Sequence, residues 1–405
     1  MSLLGCFFIL AFVEVVLILT IKLQRRSFQW LITERDELPL FDTQALKKFF
    51  DYSFDPQLGW VRRANSSGIE HGDNGPVEFH IDATGARLNP IPATPATMVV
   101  FGDSYAFCRQ VADDQTWEAQ LSRQEGFGVL NFGVGNYGVD QALLRYEGLV
   151  LPDTVNIAVM CFVPETICRI QSYWKHYLEF GNTFAFKPRF VLNDKQELLL
   201  LENPVRCPED FASIQEKLPA IRKADAFYAT KFRSLQFRFP YLLSLLRNPW
   251  KQSQLIAAVA TRALLRSFRM NSRLFENLPF TLIMKNNVRD AHRLYKDANS
   301  TQLLDAIMIR FAEEARRRGH TPLVMVIPQF FDIQLSRNGL TPYQEYFIKL
   351  SSKMSVIDLT EPLLASASRN NYINDQFGGH LSAEGNRLVA ETVSSWLKTT
   401  TKANI

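Results

Sequence analysis

The fold of this chain is decided by the stretch Met98-Val99-Val100-Phe101-Gly102-Asp103-Ser104-Tyr105-Ala106. Its apolar first part predicts a buried strand that stops at Gly102, and a helical segment is expected to follow. Ser104 then lies at a strand-to-helix turn. Open α/β sheets bind ligands beyond the carboxyl ends of their strands, and a helix N-terminus favours developing negative charge. The turn is therefore a position at which an α/β protein can expose a nucleophilic hydroxyl.

Strands and helices alternate on the carboxyl side of this turn. The pattern predicts helices over residues 117–124 and 139–149, strands over 129–133 and 157–162, and later a helix over 303–318, strands over 323–327 and 355–359, and a last helix to about 398. Such alternation predicts parallel strands joined by right-handed crossovers. We therefore expect an α/β fold with a doubly wound parallel sheet.

The alternation divides the chain into four regions. We predict a membrane anchor over 1–23, an N-terminal extension over 24–96, a core made of 97–165 plus 303–405, and a large, mainly helical insertion over 166–302 that caps the site. In the extension, residues 79–82 and 86–88 flank Ala83-Thr84-Gly85 and predict a hairpin. The proline-rich residues 90–95 read as a linker.

Composition gives no support to several functional classes. The chain has 405 residues, 47% of them hydrophobic, and a net charge of +4, which is ample for a buried core. There is no dense Lys/Arg stripe of the kind that binds nucleic acid. The five cysteines form no Cys-x-x-Cys pair, and the six histidines form no cluster with them, so we predict neither a disulfide framework nor a metal site. No cofactor is predicted.

Residues 3–21 are almost continuously apolar and approach the length of a membrane-spanning helix. Glu14 interrupts them at a cost of about 2 to 3 kcal/mol. No small-residue cleavage site is evident, which favours an uncleaved single-pass anchor; a helix packed on the protein is the alternative. Lys22, Arg25 and Arg26 follow, so the positive-inside tendency places the globular part in the cytoplasm, whereas an extracytoplasmic enzyme needs the reverse. The membrane face stays open.

Three motifs share the carboxyl edge of the predicted sheet. They are Phe101-Gly102-Asp103-Ser104, Asn131-Phe132-Gly133, and the block around His380 that ends Ala383-Glu384-Gly385-Asn386. Because these three motifs occur in this order along the chain, the sequence resembles the SGNH/GDSL hydrolase family over about residues 97–165 and 303–398. The resemblance implies a flavodoxin-like core. It extends more loosely to the glycan-modifying esterases and acyltransferases of that family.

The family resemblance also implies roles for these residues. Ser104 would be the nucleophile and His380 its general base. The backbone amides of Ser104 and Gly133 would form part of an oxyanion hole, where one donor contributes about 3 to 4 kcal/mol. An acyl group would pass through a covalent intermediate on Ser104 to water or to a sugar hydroxyl.

Two positions depart from the family pattern. The family's aspartate three residues before the histidine is Phe377 here, and the nearest upstream carboxylate is Asp375. A bulged glycine-containing loop would bring Asp375 to the imidazole; alternatively, a backbone carbonyl orients the ring. The family's oxyanion asparagine after the third strand is replaced by Val163-Pro164-Glu165-Thr166. Thr166 or Asn136 is then the candidate side-chain donor.

Three functions remain open on the sequence. The first is a membrane-associated serine esterase that removes an acyl group, such as acetyl, from a carbohydrate or lipid-linked glycan. The second is an O-acyltransferase that uses the same site. The third is a non-catalytic glycan-binding protein on a degenerate hydrolase scaffold. The partners expected are an acylated small molecule or glycan and a membrane, through residues 3–21.

Overall fold

A computed structural model describes residues 3–24, 38–39, 41–72, 75–91, 95–236, 238–268, 278–366, 369–373 and 378–403. The extension contains α1 (Leu3–Gln24), α2 (Thr43–Tyr52), β1 (Phe54–Asp55), β2 (Gly59–Trp60), β3 (Ser66–Gly72) and β4 (Gly75–Ile81). By length and composition, residues Leu4–Ile21 of α1 can cross a membrane, with a mean hydropathy of 2.7.

The rest of the chain alternates strands and helices before and after a helical insertion. The first core part and the insertion contain β5 (Ala96–Gly102), α3 (Trp117–Glu125), β6 (Gly128–Asn131), α4 (Val139–Gly148), β7 (Ile157–Phe162), α5 (Thr166–Arg169), α6 (Lys175–Glu179), β8 (Arg189–Leu192), β9 (Leu198–Leu201), α7 (Glu209–Ala212), α8 (Ile214–Ala224), α9 (Arg233–Leu235), α10 (Tyr241–Arg247), α11 (Pro249–Ser267) and α12 (Leu278–Leu294). The second core part contains α13 (Ala298–Arg317), β10 (Thr321–Val326), α14 (Phe330–Ser336), α15 (Pro342–Leu350), β11 (Ser355–Asp358), α16 (Thr360–Ala365) and α17 (Ala383–Ala403).

Five of these strands form one parallel sheet in the order β11-β10-β7-β5-β6. Read from the other edge and numbered along the chain, the strand order is 2-1-3-4-5, which is the flavodoxin-like winding. The order reverses between β5 and β7, and the ends of these two strands are where folds of this winding bind ligands. The predicted α/β fold class is therefore confirmed.

Alternate residues of β5 bury opposite faces of this sheet. Val99 and Phe101 belong to a core cluster that includes residues of α4 and α13, whereas Met98 and Val100 belong to one that includes residues of α3 and α17. Burying such a side chain contributes about 1.5 to 3 kcal/mol. Because helices cover both faces, the strand is apolar without alternation, as its sequence indicated.

The extension differs from its prediction in one respect. The predicted hairpin is present, because the Asp82 amide donates to Ala86 O at 2.8 Å and the Leu88 amide to His80 O at 2.9 Å, beside a bridge between Ile81 and Arg87. β4 also pairs antiparallel with β3. The turn of the hairpin forms because the Asp82 carboxylate accepts the backbone amides of Thr84 and Ala86. Local turn chemistry was thus visible in the sequence, but the earlier strand β3 was not. The predicted linker 90–95 lies partly outside the described residues.

Candidate functional site

The turn after β5 buries the candidate nucleophile at the switch point of the sheet. Ser104 is 6% exposed. No helix starts beside it: residues 104–110 form successive turns, and the next regular helix, α3, begins at Trp117. Cys108 and Gln110 have φ of 57° and 69°, which ends any helical run. The expected stabilisation of negative charge by a helix N-terminus at Ser104 is therefore wrong.

His380 reaches the candidate nucleophile from the other end of the chain. Its Nε2 lies 2.9 Å from Ser104 Oγ, and its ring is 2% exposed. Tyr105 stacks on the imidazole with ring centroids 4.8 Å apart and an interplanar angle of 26°. The Tyr105 hydroxyl also donates to Gly379 O at 2.6 Å. The turn that carries Ser104 thus holds the loop that carries His380.

Two glycines shape the histidine loop. Gly378 and Gly379 have φ of 110° and 82°, which L side chains rarely adopt. These left-handed positions turn the chain so that His380 points back to the sheet. The predicted acid, Asp375, lies outside the described residues and stays a prediction.

Gly133 lies against the serine turn. A Cβ on Gly133 would lie 2.3 Å from Phe107 N, so only glycine allows this approach. Its amide donates to Asn131 Oδ1 at 2.9 Å, and Asn131 Nδ2 donates to Ala106 O at 2.8 Å. The Asn-x-Gly motif therefore connects the end of β6 to the serine turn through hydrogen bonds and close packing. With the Gly133 amide bonded in this way, its oxyanion role stays a prediction.

The two candidate side-chain donors differ in whether their side chains already form hydrogen bonds. Thr166 is fully buried, and its Oγ1 accepts the backbone amide of Val139 at 3.1 Å, which caps α4. Asn136 is half-buried in the loop after β6 with φ of 70°. Its side chain makes no hydrogen bond within the described part of the chain. Asn136 is therefore the candidate whose amide group is uncommitted.

A buried ion-pair network holds the serine turn from beneath. Arg169 donates to Asp103 Oδ2 at 3.0 Å and to Glu165 Oε2 at 2.8 Å. Asp103 also accepts the backbone amides of Tyr105 and Val163, at 2.8 and 3.0 Å. Asp103 thus connects the residue after Ser104 to the residue after β7, across the switch point. The Arg169 side chain is buried, whereas a basic residue on so short a helix would ordinarily face solvent.

Glu165 lies in the segment after β7 where the SGNH/GDSL pattern has an oxyanion asparagine. The buried network favours the ionised form of its carboxylate. Burial alone would raise its pKa, but Arg169 and Lys175 hold the pKa of Glu165 below its usual value. Burial likewise opposes the charge of Arg169, while Glu165 and Asp103 raise its pKa above the ordinary value. The carboxylate is therefore paired rather than aimed at a reacting oxygen. The short spacing of residues 165 and 169, one helical turn apart, is the sequence signal that could have identified this pair.

The insertion takes part in the same network. Asn287 of α12 donates to Glu165 Oε1 at 3.0 Å, and Lys231 bonds to Asn287. Gln329 Nε2 lies 3.4 Å from Glu165 Oε2, and the backbone amide of the next residue, Phe330, donates to Gly378 O at 3.0 Å. A chain of polar contacts thus runs from the insertion to both the serine turn and the histidine loop.

Other polar groups around the serine turn have structural partners. Arg87 is buried and donates to the carbonyls of Phe107, Cys108 and Val111, so it braces the turn rather than facing ligand. Among the described residues, no group of three or more His, Cys, Asp or Glu side chains is arranged to hold a metal ion. The reactive groups that the structure brings together at the switch point are the Ser104 hydroxyl and the His380 imidazole.

Comparisons with known proteins add little to this geometry. No family model and no curated protein matches the chain. Among solved structures, it is similar to a protein described as a putative lipolytic protein of the G-D-S-L family from Desulfitobacterium hafniense DCB-2, with 10% identity and a TM-score of 0.33, over 74% of this chain and 98% of that one. So remote a likeness carries no argument about activity. What the chain itself shows is the sheet order of a flavodoxin-like α/β fold, with Ser104 and His380 brought together at its switch point.

Proposed function

We propose that the protein is a serine hydrolase that cleaves an ester bond through an acyl intermediate on Ser104. The observation that carries the proposal is the 2.9 Å contact between Ser104 Oγ and His380 Nε2. This contact lies at the switch point of the sheet, where α/β folds bind ligands. A hydroxyl within hydrogen-bond reach of an imidazole is the pairing that nucleophilic catalysis requires.

The reaction runs in two steps with Ser104 and His380 as the acting groups. Ser104 Oγ attacks the ester carbonyl carbon while His380 Nε2 takes the hydroxyl proton. The imidazolium then gives this proton to the leaving alcohol as the carbon–oxygen bond of the ester breaks. In the second step, His380 takes a proton from a water molecule that attacks the acyl carbon. The bond from this carbon to Ser104 Oγ breaks, the imidazolium returns the proton to Oγ, and the acid is released.

The developing oxyanion needs donors beside Ser104. The Ser104 amide and the Asn136 side chain are the groups we assign to it, with the Gly133 amide joining if it exchanges its bond to Asn131. Each such donor contributes about 3 to 4 kcal/mol in serine enzymes. We assign the orientation of the imidazole to Asp375, with a backbone carbonyl of the same loop as the alternative.

The substrate we propose is an acylated carbohydrate or lipid-linked glycan carrying a small acyl group such as acetyl. Support comes from α1, which by length and composition can hold the enzyme at a membrane where lipid-linked glycans reside. The burial of Ser104 and His380 favours a second function, transfer to a bound sugar hydroxyl, because a covered acyl-enzyme is protected from water.

The test is labelling of the full chain, in detergent, with a fluorophosphonate. We expect one adduct on Ser104 by mass spectrometry, none in Ser104→Ala, and labelling slowed by roughly 100-fold or more in His380→Ala because the general base is lost. Ser122→Ala, a buried serine on α3, is the matched control and should label like the wild type. A folded protein that takes up no label would instead support a glycan-binding protein without catalysis.

A second measurement separates hydrolysis from transfer. The wild-type protein is given a donor with an isotopically labelled acyl group, with and without an acceptor sugar. Label released only as free acid supports the esterase. Label on the sugar, dependent on Ser104, supports the acyltransferase.

A further inference from the structure

Glu14, the acidic residue in the apolar helix α1, has partners in the insertion. Its carboxylate oxygens accept the backbone amides of Tyr241 and Leu242, both at 2.6 Å. These amides belong to the first turn of α10, where backbone donors have no partner within the helix. The negative charge is thus placed at the positive end of a helix. Glu14 is therefore a cap for α10 rather than an interruption of α1.

This cap fixes the depth at which α10 lies beside α1. A helix rises 1.5 Å per residue, so Glu14 lies roughly 15 Å from the first described turn of α1. The hydrocarbon core of a bilayer is about 30 Å thick. When α1 crosses the membrane, the start of α10 is therefore inside the hydrocarbon. Free amides there would cost several kcal/mol each, and Glu14 satisfies two of them.

The outer surface of α10 and α11 has the composition that such a position requires. Trp250 is 74% exposed. The large apolar side chains exposed in this part of the insertion are Phe239, Leu243, Leu246, Trp250, Leu264 and Phe268. This surface continues the one that α1 exposes from Leu4 to Leu19, because α1 packs against both α10 and α11.

The charge of the same segment is one-sided. Residues 226–275 contain nine Lys and Arg residues and no Asp or Glu, whereas the remainder of the chain has 41 Asp and Glu against 36 Lys and Arg. Lys231 is buried in the network behind Ser104, but Arg233 and Arg247 are exposed. Basic residues beside an apolar helix surface are attracted to anionic headgroups, at about 1 kcal/mol each.

We propose that α10 and α11 are a second membrane-binding element, embedded beside α1 in a leaflet with anionic headgroups. Glu14 joins α1 to α10, the exposed apolar side chains contact acyl chains, Trp250 lies at the interface, and the exposed Arg233 and Arg247 face phosphate groups. The proposal rests on the proposed insertion of α1 but not on the chemistry of Ser104.

The experiment uses the full chain reconstituted into phosphatidylcholine–phosphatidylglycerol vesicles whose acyl chains are brominated, because bromine quenches nearby tryptophan fluorescence. We expect quenching in the wild type and loss of most of it in Trp250→Phe. The matched control is Trp396→Phe, a half-buried tryptophan on α17, which should be quenched like the wild type. In vesicles without phosphatidylglycerol, we expect weaker quenching of Trp250.

Two outcomes would overturn the proposal. Equal quenching of the wild type and Trp250→Phe would place α11 in water. A second copy covering α11 would shield Trp250 from brominated lipid in every vesicle, with the same result. Equal quenching of Trp250 in vesicles with and without phosphatidylglycerol would contradict the contact with anionic headgroups. Flotation with the vesicles tests α1 separately, since a failure of the anchor abolishes flotation whereas a failure of this proposal leaves it intact.

Discussion

Arg169 is the side chain on which the geometry of the serine turn depends most. It is buried between Asp103 and Glu165, and its removal leaves these two carboxylates in the interior without the cation that is hydrogen-bonded to both. We expect Arg169→Met to lower the free energy of unfolding by about 3 to 5 kcal/mol and to slow labelling of Ser104. The measurement is the urea midpoint together with the labelling rate.

The matched control for Arg169 is Arg387→Met, which breaks an exposed pair with Glu384 and Glu391 on α17. We expect it to leave both readings unchanged, because exposed ion pairs contribute little. Equal effects of the two substitutions would contradict the structural role of Arg169.

Side chains differ in how far the sequence could predict them. Ser104 and His380 were predicted because their motifs contain short-range signals: a strand that stops at glycine, and a glycine-rich loop before a helix. Arg169 was not, since a basic residue on a short helix has the same local pattern whether water or a carboxylate surrounds it. Only the tertiary fold brings Asp103 beside it.

At the scale of elements, the contact between β6 and the serine turn is the most constrained. A methyl group on Gly133 would meet Phe107 N at 2.3 Å, whereas one on Gly135 would meet nothing within 4 Å. We expect Gly133→Ala to destabilise the protein by about 1 to 3 kcal/mol through overpacking and Gly135→Ala to have no such effect. The measurement is the thermal unfolding of the two variants. Equal melting temperatures would contradict the close approach of Gly133 to Phe107.

The core elements were predicted well and their contacts with the insertion were not. The strand predicted over 157–162 is β7 as observed, and the others differ by a few residues at their ends. Hydrophobic runs determine these bounds locally. The expected helix does not form at Ser104 because Cys108 and Gln110 take left-handed backbone angles. The hydrogen bonds between Glu14 and α10 join residues more than 200 positions apart. Neither has a local signature.

At the scale of the whole molecule, the pH dependence of stability has an identifiable source. Burial raises the pKa of Glu118 from 4.5 to about 8. The folded state therefore holds a proton that the unfolded state has lost between these values, and stability falls as pH rises from about 4.5 to 8, by at most roughly 1.4 kcal/mol per pH unit. We expect Glu118→Gln to be more stable than the wild type at pH 8 and equal to it at pH 4. Urea midpoints at both values test this, and parallel curves would contradict the assignment.

The strand order also has a consequence for synthesis on the ribosome. β7 pairs with β5 on one side and β10 on the other, yet the whole insertion is made between Phe162 and Thr321. At 5 to 20 residues per second, the edge of β7 waits roughly 10 to 30 seconds for its neighbour, and an unpaired edge invites aggregation. His380 emerges later still. A nascent chain therefore cannot form the Ser104–His380 pair until the loop that carries His380 has left the exit tunnel, by which time α1 has long been available to the membrane.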